Sequence, residues 1–210
     1  VVKVTPEGIV TPFSSAFRYP TGLAIDSQDR LFASDNQGVQ NCFNEINHLR
    51  EGLHFGVPNY HDRDLKVDHH PPAVQVPHPW TRSVNGIQIL SEDYKVKPFA
   101  GHGIGAEYEE KLLVRFTYRE VDGDLQGAIY YLSKPKWNLD ETFLGPLCVT
   151  TAPNGDIYVG SIHDSGWLGG LNTGSIVRLR PNGNLPNGIR EIRGTSNGFE
   201  IHFNSAVDKA

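Results

Sequence analysis

The sequence predicts an all-β protein built as a β-propeller, and three observations carry that prediction. Short apolar runs alternate with turns along all 210 residues, and 22 glycines and 14 prolines interrupt any long helix. Two hairpins, at residues 22–34 and 147–160, share one order: apolar strand, polar turn, then a large, an aromatic and a small residue. Residues 84–89 begin a third, looser copy. Hairpins recurring at about 40–50 residues are typical of four-stranded propeller blades, with a regular β-sandwich as the alternative.

That spacing gives about four blades in residues 1–183, which is either a small propeller or an incomplete part of a larger ring. The Pro/Asn/Gly-rich run that begins near residue 184 is a linker by composition, and the alternating GFEIHF that follows is typical of a strand. We therefore interpret residues 184–210 as a short C-terminal extension: a linker and the first strands of a following sandwich-like domain. Two strands have no independent stability, so they are expected to pack on the main body or to be loosely held. Neighbouring domains of a longer polypeptide are implied.

Each predicted strand is rich in β-branched and aromatic residues and is bounded by turn formers. The predicted strands are residues 1–5, 9–13, 22–25, 31–33, 74–80, 86–90, 111–118, 128–132, 144–151, 157–162, 176–180, 189–193 and 198–203. Residues 61–72 are charged and predict an exposed excursion. The three glycines in residues 99–106 predict a flexible loop around His102, and residues 107–113 are the only candidate helix.

Composition excludes several classes of function. The net charge of −5, with both signs interspersed, leaves no basic footprint for nucleic acid. No run approaches the roughly 18 apolar residues of a membrane helix, so no transmembrane segment is predicted. The chain starts at Val1 and contains no methionine, which indicates a processed chain or an excised piece. Cys42 lies in a polar loop, whereas Cys148 lies in an apolar strand and is predicted to be buried.

The stretch from Arg18 to Asn59 is the densest in groups that could bind a ligand. Asp35, Asn36, Gln37 and Gly38 end the second strand of the first hairpin with a carboxylate, two amides and a glycine. Strand ends that gather oxygen donors are where β proteins usually place a ligand. A solvated loop between two strands is the alternative.

A second hypothesis concerns a metal. His48 and His54 lie six residues apart across a turn at Gly52, with Glu45 nearby, and with Asp35 they could hold zinc or another transition metal. The alternative is that His48 is a polar strand residue and that His54 caps a turn. Gln126, next to a strand, is a candidate for lining a central channel.

Four motifs carry a resemblance to a known family. RYPTGLA, LFASDNQG, NEIN and FGVPN resemble the pattern RNPxGLAF, LFxxDQG, DEIN and YGWPN of the soluble quinoprotein glucose/sorbosone dehydrogenases. Those enzymes are six-bladed propellers that use pyrroloquinoline quinone (PQQ) and calcium. The chain most resembles the C-terminal part of the propeller in a bacterial subgroup called membrane-bound dehydrogenases, where further domains follow. Residues 123–132, 155–167 and 198–208 also suit that subgroup.

The resemblance implies roles for individual residues. Arg18 matches the arginine that lies over cofactor and substrate, a position that suits a permanently charged, forked guanidinium. Gln37, Gly38 and Val39 match the segment whose carbonyl groups hold the cofactor's calcium, and Glu45 matches a carboxylate at a structural calcium.

The expected site residues are therefore of three kinds. Arg18 and His54 are the catalytic candidates. The cofactor-binding candidates are Arg18, Gln37, Gly38, Val39 and Gln126. The metal-binding candidates are Gly38, Val39, Asp35, Glu45 and His48.

Departures from the pattern weaken the implied chemistry. Tyr19 stands where the family has Asn, Val39 replaces Pro, Val57 replaces Trp, and Phe55 replaces a tyrosine associated with calcium. The family's catalytic base is a histidine upstream of these motifs, and hydride abstraction from a sugar needs such a base. The chain is therefore expected to be catalytically incomplete alone. The resemblance implies a sugar substrate and a periplasmic or extracellular location.

Three functions follow as hypotheses. The first is a segment of a PQQ- and calcium-dependent sugar dehydrogenase. The second is a non-catalytic propeller of the NHL type that binds a protein or glycan. The third is a metal-dependent sugar lyase or hydrolase on the same scaffold, using Glu45, His48 and His54.

Overall fold

The computed structural model describes residues 1–37, 42–55, 69–133, 143–164, 166, 170–185 and 187–208. The strands in these ranges are β1 (Val2–Val4), β2 (Val10–Pro12), β3 (Pro20–Ile25), β4 (Leu31–Asp35), β5 (Phe43–Leu49), β6 (Val74–Pro77), β7 (Val84–Ile89), β8 (Gly103–Glu107), β9 (Leu112–Val121), β10 (Asp124–Tyr131), β11 (Pro146–Thr151), β12 (Ile157–His163), β13 (Thr173–Leu179), β14 (Ile189–Thr195) and β15 (Gly198–Phe203). Within this described part, a 3₁₀ turn at Lys97–Phe99 is the one helical element.

The strands form antiparallel sheets in which neighbours in sequence are neighbours in space. Strands β3–β6 form blade A, β7–β10 form blade B, and β11–β13 form the three-stranded blade C. The pairs β1–β2 and β14–β15 are separate hairpins. Strand β3 lies beside β7 and β7 beside β11, so the first strands of the three blades are innermost and the later strands lie progressively further out. This is part of a β-propeller, and the predicted fold class is confirmed.

The blades are longer than the sequence suggested. Successive innermost strands begin 64 and 62 residues apart, at Pro20, Val84 and Pro146, not at the predicted spacing of about 40–50. The loops between strands account for the difference: 24 residues separate β5 from β6, and 13 separate β7 from β8. The described residues therefore contain two four-stranded blades and a three-stranded one.

Glycine allows the innermost strands to approach one another. A Cβ on Gly86 of β7 would lie 2.7 Å from both the Cα of Cys148 and the carbonyl oxygen of Leu147 in β11. On Gly22 of β3 it would lie 2.6 Å from the Ser34 hydroxyl and closer still to the carbonyl oxygen of Asn85. The Ser34 hydroxyl itself donates to that Asn85 oxygen and accepts from the Gly22 N–H at 2.9 Å. These contacts join blade A to blade B near the ring's centre.

Two hydrophobic cores fill the spaces between blades. The first lies between blades A and B and includes Phe32, Ile46, Val114 and Phe116, all fully buried. The second lies between blades B and C and includes Ile104, Leu113 and Val159. On the other face of blade A, residues 13–17 cover a smaller cluster of Ala33, Leu49 and Phe55.

Three local predictions were wrong. Residues 103–107 are the buried strand β8, not a flexible loop, because Gly105 makes room for Val114 and Val84, to which an added Cβ would come within 3.0 Å. The helix candidate at residues 107–113 consists of the end of β8, a turn at residues 108–111 and the start of β9. Cys148 is exposed, because a register shift between Pro146 and Cys148 breaks the alternation of β11.

A fourth difference concerns β5. No strand was predicted around Glu45, yet this segment is a strand inside the four-stranded sheet of blade A, in which Asn44, Glu45 and Asn47 are all buried. The alternative that His48 is a polar strand residue is therefore correct. The two hairpins recognised from their pattern, β3–β4 and β11–β12, are confirmed.

The hairpin β14–β15 is attached to blade B through side chains of blade B. Arg115 of β9 donates to the carbonyl oxygens of Ile189 and Arg190, at 3.0 and 2.7 Å. The Tyr130 hydroxyl accepts the N–H of Ile192 at 2.7 Å. The hairpin therefore packs on the main body, as a two-stranded element must.

In the described part of the chain, no helix has the length and apolar character needed to cross a membrane.

Candidate functional site

A cavity of about 770 Å³ opens on one face of the partial propeller, where blades A and B meet. Each of its walls is a strand end or the loop beside it. They are the start of β3, the end of β4, the start of β7, the end of β8 and the start of β11. The lining residues are Arg18, Tyr19, Thr21, Asn36, Gln37, Arg82, Ser83, Asn85, Tyr108, Glu109 and Leu147. Ligand sites of proteins are usually concave and of this size, with a few polar groups placed by rigid elements.

A buried carboxylate fixes the first wall. Asp35, at the end of β4, is 1% exposed and accepts the main-chain N–H groups of Arg18 at 2.8 Å and Tyr19 at 2.6 Å. Burial raises the pKa of Asp35, while the N–H groups of Arg18 and Tyr19 act in the opposite direction. Asp35 therefore anchors the loop that carries the Arg18 side chain into the cavity wall.

A second buried carboxylate does the same in blade B. Glu107, at the end of β8, is fully buried, and its Oε1 accepts the N–H groups of Arg82 at 2.9 Å and Ser83 at 2.8 Å. Its Oε2 accepts the N–H of Glu110 at 2.5 Å. Burial raises the pKa of Glu107 to about 7, although all three N–H donors favour the charged form.

Arg18 and Arg82 are thus equivalent residues of successive blades. Each lies four residues before the glycine of an innermost strand, Gly22 or Gly86, and each has its main-chain N–H on a buried carboxylate from the second strand. Both line the cavity. Two guanidinium groups on adjacent walls favour an anionic ligand, since each can fork onto a carboxylate.

The charge of the second arginine is partly balanced. Arg82 forms an ion pair with Glu109 at 2.6 Å, and Glu109 also lines the cavity. Tyr19, Tyr108 and the amides of Asn36 and Asn85 supply neutral hydrogen-bonding groups. The wall is therefore cationic on the blade A side and mixed on the blade B side.

Gln37 lies two residues after the end of β4. Of the segment predicted to bind calcium, Gln37, Gly38 and Val39, it is the one residue that the structure describes. Its Oε1 is 2.6 Å from Nδ1 of His78, and its N–H donates weakly to the Asn44 amide oxygen at 3.4 Å. The Asn44 amide nitrogen in turn donates to the carbonyl and hydroxyl oxygens of Thr81, both at 2.9 Å. Gly38 and Val39 lie outside the described residues, so their predicted roles stay predictions.

The proposed histidine–carboxylate cluster is not brought together. Asp35 and Glu45 are cross-strand partners, but Glu45 and His48 are three residues apart on β5 and point to opposite faces of blade A. His48 packs its ring against Phe32, and His54 stacks on His69, with ring centroids 5.4 Å apart. Within the ranges the structure describes, no three His, Cys, Asp or Glu side chains form a group that could hold a metal ion.

Two further candidates lie away from the cavity. Gln126 is on β10, the outermost strand of blade B, and faces Arg119 in the register, so it does not line the cavity. His54 lies at an isolated bridge to Ser15 on the outer side of blade A, also away from the cavity.

Sequence reasoning missed Arg82, Asn85, Tyr108 and Glu109. The signal for Arg82 was present, since its distance to Gly86 repeats the distance from Arg18 to Gly22. No sequence pattern indicated that Tyr108 and Glu109 line the cavity, because their position there depends on the pairing of β8 with β7.

Comparison with known proteins shows the fold. No family model matches the chain, and no curated protein sequence matches it. The PQQ-bound form of aldose sugar dehydrogenase from Streptomyces coelicolor is similar at a TM-score of 0.59 and 20% identity, over 84% of this chain and 50% of that one. An oxidoreductase (glucose dehydrogenase) from Thermus thermophilus is similar at 0.58 and 17%, over 79% and 46%. The soluble aldose sugar dehydrogenase of Escherichia coli, in its apo-form, gives 0.57 and 17%, over 81% and 47%.

The chain therefore spans about half the length of the solved structures it matches. At these identities the likeness is one of fold, and it is the fold that the sequence motifs led us to expect.

Proposed function

We propose that this chain is a segment of a PQQ-dependent sugar dehydrogenase and that its part of the active site is the cavity between blades A and B. The observation that carries the proposal is the pair of equivalent arginines, Arg18 and Arg82, on the wall of that cavity. It is supported by the likeness in fold to a PQQ-bound aldose sugar dehydrogenase.

The residues of the cavity fit PQQ, a planar tricyclic molecule with three carboxylates. Arg18 and Arg82 are suited to carboxylates, and the amide of Asn36 to carbonyl and ring nitrogen atoms. A cavity of about 770 Å³ is large enough for such a ligand together with part of a sugar. When bound, PQQ supplies a quinone that takes up two electrons from the sugar.

This chain's own residues would hold and orient the cofactor. Asp35 and Glu107 fix the main chain under the two arginines, so that little conformational entropy is lost when a ligand binds. Tyr19 and Tyr108 add aromatic surface against which a planar ring system can pack.

Calcium is part of the proposal through residues that the structure does not describe. The carbonyl groups of Gly38 and Val39 remain the candidate ligands. Asp35 is a poor one, because both of its oxygens already accept main-chain N–H groups. Glu45, buried beside Asp35, keeps its proposed structural role.

The substrate class, completeness and location follow from the same proposal. The substrate is an aldose or related sugar, the enzyme acts in the periplasm or outside the cell, and the catalytic base comes from another part of a longer polypeptide. The segment alone then binds cofactor without oxidising sugar at a useful rate.

Binding of PQQ by the purified chain tests the proposal. We expect the absorption spectrum of PQQ to shift on titration, with tighter binding in calcium than in chelator. Arg18→Ala should weaken binding at least about 10-fold, as expected for loss of one charge-assisted hydrogen bond. Arg180→Ala, which changes an exposed arginine outside the cavity, is the matched control. Absence of PQQ binding under all conditions would overturn the proposal.

A further inference from the structure

A second cavity, of about 520 Å³, lies between the outer strand of blade B and the β14–β15 hairpin. Four of its lining residues are aromatic, and it shares no residue with the first cavity. Nothing in the proposed dehydrogenase function uses it.

Two stacked aromatic rings form one wall. Trp80, in the turn after β6, and Tyr131, at the end of β10, lie with ring centroids 4.5 Å apart and planes only 8° apart. They remain 37% and 39% exposed. The Trp80 main chain is held by its N–H on the Pro77 carbonyl at 2.9 Å. Because each ring covers one face of the other, a ligand can pack on an outer face of the stack, and the second ring holds the first in place at low cost in conformational entropy.

The floor of the cavity contains a buried guanidinium group whose hydrogen bonds go to other parts of the chain. Arg115 is 2% exposed, with its guanidinium carbon 4.6 Å from the centre of the Phe99 ring and 4.4 Å from that of Tyr130. Its donors reach the carbonyl oxygens of Ile189 and Arg190 and, at 2.9 Å, the Nδ1 atom of His102. Because the guanidinium is buried and its N–H groups already donate to these acceptors, it is not accessible for an ion pair with a ligand, which favours a neutral ligand over an anion.

The opposite wall is polar and fixed. The main-chain N–H of Asn204 donates to the Gly188 carbonyl at 3.0 Å, and the Asn187 amide oxygen accepts from the Ser205 hydroxyl at 3.2 Å. Asn187, Asn204 and Ser133 also line the cavity, and the amide oxygen of Asn204 is itself buried. Amides and hydroxyls both donate and accept hydrogen bonds, as is needed to bind hydroxyl groups.

We propose that this second cavity is a binding site for a neutral saccharide, with a sugar ring packed on an outer face of the Trp80–Tyr131 stack and its hydroxyls bound by Asn187 and the amide nitrogen of Asn204. A pyranose ring has one face of C–H groups and a rim of hydroxyls, which matches an aromatic wall opposed by amides. The site is independent of the cofactor cavity and would hold a glycan next to the enzyme.

The test is a titration of the full chain with maltose, cellobiose and lactose, followed by saturation-transfer NMR and calorimetry. Sorbitol, which has the hydroxyls without the rigid ring, is the ligand control. At least one disaccharide should bind, and Trp80→Ala and Tyr131→Ala should each weaken binding about 10-fold, as expected for loss of an aromatic contact. Asn187→Ala, at an exposed position, should weaken it as well without affecting the fold.

One variant is expected to leave saccharide binding unchanged. Phe199→Ala removes another exposed aromatic side chain, on β15 and outside the second cavity. Thermal melts monitored by circular dichroism identify any variant that fails to fold. The proposal is overturned if none of the disaccharides binds, if sorbitol binds equally well, or if folded Trp80→Ala and Tyr131→Ala proteins bind with unchanged affinity.

Discussion

Arg18 of blade A and Arg82 of blade B occupy the same position in successive blades, each four residues before an inner-strand glycine and each with its main-chain N–H on a buried carboxylate. The carboxylates, Asp35 and Glu107, both come from the end of the second strand of the blade. The same arrangement, an arginine whose main-chain N–H donates to a buried carboxylate, therefore occurs in both blades and places two guanidinium groups at one cavity. The two copies differ in the acid, and this difference leads to a testable pH dependence.

The free energy of unfolding of the native protein should fall as the pH is raised, and Glu107→Gln should not show this fall. Its pKa is about 7 in the folded protein and lies near 4.5 when unfolded, so the folded state binds more protons between these values. The stabilisation is fully present below pH 4.5 and is lost as pH rises through 7, by about 3 kcal/mol in all. Urea unfolding of both proteins from pH 5 to 8 measures the difference. An equal pH slope in both would show that Glu107 does not titrate in this range.

His102 should act in the opposite direction. Burial, with Arg115 second, lowers the pKa of His102 to about 4, and Arg190 and Glu191 also face it with opposite effects. The unfolded state then binds more protons between pH 4 and 6.5, so stability is present above 6.5 and is lost as pH falls through 4. The expected loss is ~2 kcal/mol after allowance for solvent screening.

The effects of His102 and Glu107 on stability occur in overlapping pH ranges, and a comparison of variants separates them. His102→Gln removes the titrating group, and His69→Gln changes an exposed histidine as the control. The difference in unfolding free energy between native protein and His102→Gln should change between pH 4 and 6.5. A constant difference would contradict the assignment.

Arg115→Lys should release the β14–β15 hairpin. Lysine keeps the charge but cannot reach two carbonyl oxygens and His102 at once while stacked between Phe99 and Tyr130. We expect a loss of roughly 2 kcal/mol and faster amide hydrogen exchange in β14, measured by mass spectrometry. Arg119→Lys, at an exposed arginine that bonds the Gly194 carbonyl, is the control and should have a smaller effect. Unchanged exchange in β14 would show that other contacts hold the hairpin.

Gly86→Ala should loosen the packing of blade B on blade C. The new methyl group would overlap the β11 main chain at Cys148 and Leu147, at a cost of about 1–3 kcal/mol. Gly174→Ala, on β13, is the control, because the added Cβ would lie 3.4 Å from its nearest neighbour, the carbonyl oxygen of Ser161. Its free energy of unfolding should be within about 0.5 kcal/mol of that of the native protein. The midpoint of urea unfolding measures both, and equal midpoints would contradict the close approach of the inner strands.

The strands that sequence predicted best are those with regular alternation and a recognisable turn. The hairpins β3–β4 and β11–β12 have both, and their positions were correct to within two residues. Strand β5 was missed because three of its five buried residues are polar, and the groups that make their burial favourable are distant in sequence. Asn44, for example, bonds Thr81, 37 residues away.

The candidate site was predictable in part for the same reason. Arg18 and Gln37 were found because they lie in a motif next to a regular hairpin. Gln126 was placed wrongly, because only the order of strands within the blade shows that β10 is outermost. Arg82 could have been found from its spacing to Gly86, whereas Glu109 reaches the cavity only through the pairing of β8 with β7.

The central claim is that the cavity between blades A and B binds PQQ through Arg18 and Arg82. The most direct test is a crystal structure of the chain grown with PQQ and calcium. Our account predicts the cofactor in that cavity, with a carboxylate within hydrogen-bonding distance of each guanidinium. PQQ bound elsewhere on the chain, or bound in the cavity without contact to either arginine, would contradict it.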